Sequence, residues 1–97
     1  MGNERFMSND EFIAKAKKIV DGYAVHHLDV TDGVPEFDVY VVWNAFILGY
    51  QKALLSTTLS DGMYYEVTYN KAKGEIYLDA YKKFENLCIR PEEVEML

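Results

Sequence analysis

Apolar side chains recur at three-to-four-residue spacing through Phe12, Ile13, Ala16, Ile19, Val20 and Tyr23. This spacing predicts an amphipathic helix over about 9–23, with Lys15, Lys17 and Lys18 mostly outside the apolar stripe. Its start is marked by Ser8 and Glu11, whose side chains can each satisfy the other residue's free backbone N–H as a capping box. Met7 and Phe12 stand at the two positions of a hydrophobic staple. Gly22 is a candidate stop, with Ala24, Val25, His26 and His27 available for one further turn.

The helical pattern ends in a polar stretch over 29–38. Asp32-Gly33 is a turn dipeptide, Pro35 cannot donate to a ladder, and Asp29, Asp32, Glu36 and Asp38 have no Lys or Arg among them. It reads as an acidic connecting loop.

Four runs rich in Val, Tyr, Thr, Ile and Leu follow at 39–48, 52–59, 63–69 and 75–81 and predict strands. Gly49, Ser60-Asp61-Gly62 and Asn70-Lys71-Ala72-Lys73-Gly74 separate them, connections too short for helical crossovers, so the strands are expected to pair antiparallel as a meander. The fourth run alternates, Ile76, Leu78 and Ala80 against Glu75, Tyr77, Asp79 and Tyr81, which implies a solvated face. The first is apolar on both faces, the pattern of a central or doubly covered strand, and places Trp43 in the interior. The run 84–90 fits a short helix or a last strand equally. The expectation is therefore an α+β fold, an N-terminal helix packed on a four-stranded antiparallel meander sheet. Its ordered core covers about 8–90, with tails 1–7 and 91–97 outside it.

A chain of 97 residues has room for one domain, which excludes readings with separate cofactor and substrate domains. Cys88 is the single cysteine, so no disulfide can form within the chain, and a reducing compartment follows. The first five residues carry no apolar core, so no secretory signal is expected. The longest apolar stretch, over 39–50, is too short for a membrane span of about 20 residues. A cytoplasmic protein with no membrane partner is the expectation. The net charge of −6 argues against nucleic acid as a partner, because binding to phosphates depends on clustered Lys and Arg.

Few residues suggest chemistry. His26 and His27, with Asp29 and Asp32 nearby, are the one group of metal-ligand types. Adjacent helical histidines point about 100° apart and do not chelate as an i, i+4 pair would, so no metal and no cofactor are expected. One imidazole should be buried at the helix end and the other exposed. Cys88 lies between Leu87 and Ile89, where a packed, inert thiol belongs, and no nucleophile elbow or phosphate loop is present. No catalytic residue is assigned.

The tyrosines say more. In 63–69, Met63, Tyr65, Val67 and Tyr69 alternate with Tyr64, Glu66 and Thr68, and the fourth run adds Tyr77 between Glu75 and Asp79. The expected binding residues are Tyr64, Glu66, Tyr77 and Asp79, two tyrosines among carboxylates on one sheet face, in the style of protein interfaces.

Three groups of runs resemble a known family: Asp38-Val39-Tyr40-Val41-Val42-Trp43; Lys52 to Thr58 with Asp61 to Asn70; and Tyr77 to Asn86. Together, over roughly 10–90, they are similar to an uncharacterised family of small phage and prophage proteins of Gram-positive bacteria. The resemblance implies an accessory phage protein acting in the host cytoplasm, with no activity and no functional residues to carry over. The resulting expectation is a non-enzymatic module that binds a host or phage protein. The alternatives are a structural homo-oligomer built on the same face and a small metal-dependent enzyme using His26 and His27.

Overall fold

A computed structural model describes residues 7–28 and 33–96. Helix α1 spans Asn9–His26, and four strands follow: β1 Val39–Ile47, β2 Tyr50–Thr57, β3 Met63–Asn70 and β4 Glu75–Lys82. They form one antiparallel sheet in the order β1-β2-β3-β4, the expected meander, with α1 against one face. A short 3-10 helix, Pro91–Met96, ends the described chain.

The capping box closes α1 as the sequence predicts: Glu11 N donates to Ser8 Oγ over 3.1 Å and Ser8 N to Glu11 Oε1 over 3.4 Å. Gly22 does not stop the helix, which continues through the available turn to His26. The buried stripe is Phe12, Ala16, Val20 and Ala24, spaced four apart. Small side chains at Ala16 on the helix and Ala53 on the sheet bring the two layers close, while Phe12, Val20, Leu55, Tyr65, Val67 and Tyr69 fill the space between. Met7, Val39, Val41, Ile76 and Leu78 close the margins of this core.

Two glycines serve turns that need positive φ. Leu48 and Gly49, with φ of 50° and 86°, form the two-residue β1–β2 turn, and Gly62, with φ of 70°, lies before β3. Asp61 Oδ1 accepts from Met63 N over 3.1 Å, and Ser56 Oγ donates to Met63 O over 2.7 Å, which fixes the start of β3 against the end of β2.

Four expectations are corrected. β1 is an edge strand whose second face is uncovered among the described residues, although its sequence has the character of a central strand. Trp43 is 41% exposed instead of interior, because the register slips by one residue between Val41 and Trp43 and turns it away from the helix. Cys88 is exposed, because the chain over 83–90 is neither helix nor strand and every residue from 84 to 90 is exposed. His26 and His27 are both exposed, since Ala24 is the last buried residue of the helix. Asp29 and Asp32 lie outside the described residues. No helix among them is long and apolar enough to cross a membrane.

Candidate functional site

With α1 on one side, no element among the described residues covers the other side of the sheet. Cross-strand register sets its rows: Tyr40, Ser56, Tyr64 and Tyr81; Trp43, Leu54, Glu66 and Asp79; Ala45, Lys52, Thr68 and Tyr77; and Ile47, Tyr50, Asn70 and Glu75. The sequence pattern places Tyr64, Glu66, Tyr77 and Asp79 on one face, and the structure brings all four onto this outer face. Tyr77 and Asp79 are exposed, whereas Tyr64 and Glu66 are half-buried on the inner strand β3.

Glu66 and Asp79 stand directly opposite each other on β3 and β4, a like-charge pair that disfavours the sheet on its own. Lys52 on β2 relieves it, with Nζ 3.6 Å from Glu66 Oε1. Both partners are partly solvated, so the ion pair contributes less than about 1 kcal/mol. Asp79 has no such cation among the described residues. The Tyr77 hydroxyl donates to Glu75 Oε1 two residues earlier, and this bond, followed by loss of hydration and the Glu75 charge, holds the phenol above its ordinary pKa. The result is an open surface on which the rings of Tyr40, Trp43, Tyr50, Tyr77 and Tyr81 surround carboxylates.

Sequence reasoning missed Tyr40, Trp43 and Tyr50 as members of this face. Alternation along β1 pairs Trp43 with Val41, and only the slip in register separates them. Tyr81 was legible, since it alternates with Tyr77 and Asp79.

A second concavity, of about 280 Å3, lies where the end of α1 meets the start of β3, lined by Tyr23, His27, Asp61, Met63, Tyr65 and Lys82 among others. The Tyr23 and His27 rings stack at 4.0 Å, and Tyr23 meets Tyr65 edge-on at 5.6 Å. Burial, then the Asp61 and Tyr23 charges, push the Tyr65 phenol above its ordinary pKa. The polar groups here serve the fold: His27 Nδ1 is 2.8 Å from Tyr23 O, and Asp61 accepts from Met63 N. Among the described residues no three His, Cys, Asp or Glu side chains are grouped to hold a metal ion.

A family model described as a family of unknown function, DUF6275, matches residues 13–91. No curated protein and no solved structure matches the chain.

Proposed function

We propose that this chain, which belongs to the DUF6275 family, is a non-enzymatic module that binds a host or phage protein through its outer sheet face. The observation that carries the reading is that one face of the sheet has no covering layer among the described residues and bears exposed Tyr40, Trp43, Tyr50, Tyr77 and Tyr81. Tyrosine and tryptophan are the side chains that anchor interfaces, because they supply a large rigid contact area at low conformational cost. The surface is broad and open, a shape suited to contact with another protein and unlike the deep apolar clefts that enclose small substrates. Glu75, Asp79 and Glu66 beside these rings favour a partner surface rich in Lys and Arg, whose cations are attracted by carboxylates and by aromatic faces alike.

The setting proposed with it is an accessory protein of a phage or prophage of a Gram-positive bacterium, acting in the host cytoplasm. The word-like runs at 38–43, 52–58, 61–70 and 77–86 support that setting, as does the single unpaired cysteine.

The test is affinity capture from host cells carrying the phage, using the full chain and a Tyr77→Ala/Tyr81→Ala variant as parallel baits. The wild-type chain is expected to retain a protein that the variant loses, and retention should weaken between about 50 and about 300 mM salt as screening shortens the reach of the carboxylates. Equal capture by both baits would place binding elsewhere and overturn the assignment.

A further inference from the structure

We propose that two copies of this chain dimerise by exchanging their C-terminal arms, the segment over 84–90 of each copy adding as a fifth strand to the β1 edge of the other. Three observations converge on this arrangement.

The first is the arm itself. After β4, Lys83 N donates to Gly62 O over 2.7 Å, and the chain then runs through 84–90 without helix, strand or turn. Phe84 is 97% exposed, and Leu87 and Ile89 are exposed as well. This spends apolar side chains on solvent and leaves backbone outside any ladder, the state of a segment that completes itself by strand addition.

The second is the strand that would receive it. β1 is at the sheet edge, yet 39–51 contains no Asp, Glu, Lys or Arg, and Val42, Trp43, Phe46 and Ile47 are exposed. Proteins that keep such an edge free in solution protect it with charge or proline. β4, the other edge, is charged through Glu75, Asp79 and Lys82. The central-strand character of β1 is accounted for if a neighbour occupies its open edge.

The third is size. The Cα radius of gyration is 16.9 Å, against about 12.5 Å for a compact domain of this length. The chain leaves 7343 Å2 in contact with solvent, where a folded monomer of its mass leaves about 5,700 Å2. Both figures exceed those of a compact monomer, as expected of a chain whose arm and β1 edge are not packed against its own core.

A second copy is the occupant because one chain carries both halves and cannot join them itself. The arm leaves from β4, and β1 lies three strand spacings away, about 14 Å across the sheet. Crossing that width would consume about four extended residues, including Phe84 and Leu87, the side chains that are to be buried. In a two-fold pair each arm reaches the other copy's edge without crossing, and both contacts are equivalent. The centre of the outer face, with Tyr77 and Asp79, stays open for a different partner.

Sedimentation equilibrium on the full chain is expected to give twice the 11.2 kDa chain mass. Leu87→Asp/Ile89→Asp in the arm and Val42→Lys in the edge should each weaken the dimer by at least about 100-fold, since each puts charge into a desolvated contact. All three positions are exposed within one chain, so the circular dichroism of the helix and sheet should persist. Mixing the two variants should recover a dimer weaker than the wild type, because one of its two contacts joins the intact arm of the edge variant to the intact edge of the arm variant. A wild-type chain that stays monomeric at about 100 μM would overturn the proposal. So would a dimer that survives the arm and edge substitutions, or variants that fail to complement when mixed. A dimer abolished by Tyr77→Ala and indifferent to the arm would show instead that the outer face pairs with itself.

Discussion

Trp43 stands opposite Leu54, and Val41 stands opposite Leu55, so β1 advances by two residues where β2 advances by one. Val42 is the extra residue of a bulge, and everything after it changes face: Asn44 and Phe46 turn toward the helix side, while Trp43, Ala45 and Ile47 turn outward. A strand read by strict alternation would bury the indole beside Val41. The bulge therefore creates the aromatic outer face at this edge.

Deleting Val42 removes the extra residue and leaves Trp43 next after Val41, still opposite Leu54 on the outer face, with Asn44 still opposite Ala53. No side chain of β1 changes face, so acrylamide should quench Trp43 as it does in the parent, and the cost should stay at or below about 1 kcal/mol. Urea denaturation and quenching check both. Reduced quenching with a lowered midpoint would show that the deletion slides the hairpin register and drives the indole into the helix side, where overpacking costs about 1–3 kcal/mol.

Leu48 occupies the left-handed region with φ of 50° while its side chain is 94% exposed, so the strain is uncompensated by packing within the chain. The β1–β2 turn has positive φ at both central residues, where asparagine followed by glycine is preferred. Leu48→Asn should stabilise the protein by about 1 kcal/mol, because asparagine visits this conformation at lower cost. Chemical denaturation checks it, and a lowered midpoint would show that the leucine has a contact to lose.

Tyr65 offers a pH signature. Its phenol is held above the ordinary value of 10.0 by burial first, then by Asp61 and Tyr23, so the folded chain binds this proton more tightly than the unfolded chain does. The stabilisation is fully present below pH 10 and is lost as pH rises through the folded pKa. Urea midpoints should fall between about pH 9 and about pH 11, and Tyr65→Phe, which has no proton to lose, should fall less. Parallel curves for the two proteins would assign the alkaline loss to other groups.

What the sequence made legible was local. The capping box of Ser8 and Glu11, the four-residue stripe from Phe12 to Ala24 and the glycine-bearing turns each rest on neighbours in the chain, and the meander follows from short connections. The inner face of β3 and the outer face of β4 were readable because their alternation is unbroken. Trp43 was not, since a bulge is a cross-strand event with no residue signature at Val41-Val42. Cys88 was misplaced for a related reason: the apolar run around it has no covering element among the described residues. The outer face was half visible, in Tyr64, Glu66, Tyr77 and Asp79, while Tyr40 and Tyr50 joined it only through register with β2 and β3.

The same register separates the two tyrosines from which the face was first inferred. Tyr64 lies on the inner strand β3 between Ser56 and Tyr81, and is half-buried, whereas Tyr77 lies on edge strand β4 and is exposed. Tyr64→Ala should cost about 1–2 kcal/mol of stability through lost apolar burial. Tyr77→Ala should stay within about 0.5 kcal/mol, as surface truncations do, while an anchor at the interface loses more than about 1 kcal/mol of partner binding. Tyr77→Phe then divides ring from hydroxyl, because it keeps the contact area and removes the donor to Glu75. If the ring is the anchor, Tyr77→Phe should retain the captured protein that Tyr77→Ala loses, and the freed Glu75 carboxylate should make retention more sensitive to salt. Loss of capture in both variants with thermal stability intact would move the recognition from the ring to the hydroxyl. Loss of stability in Tyr77→Ala with capture intact would remove Tyr77 from the binding surface.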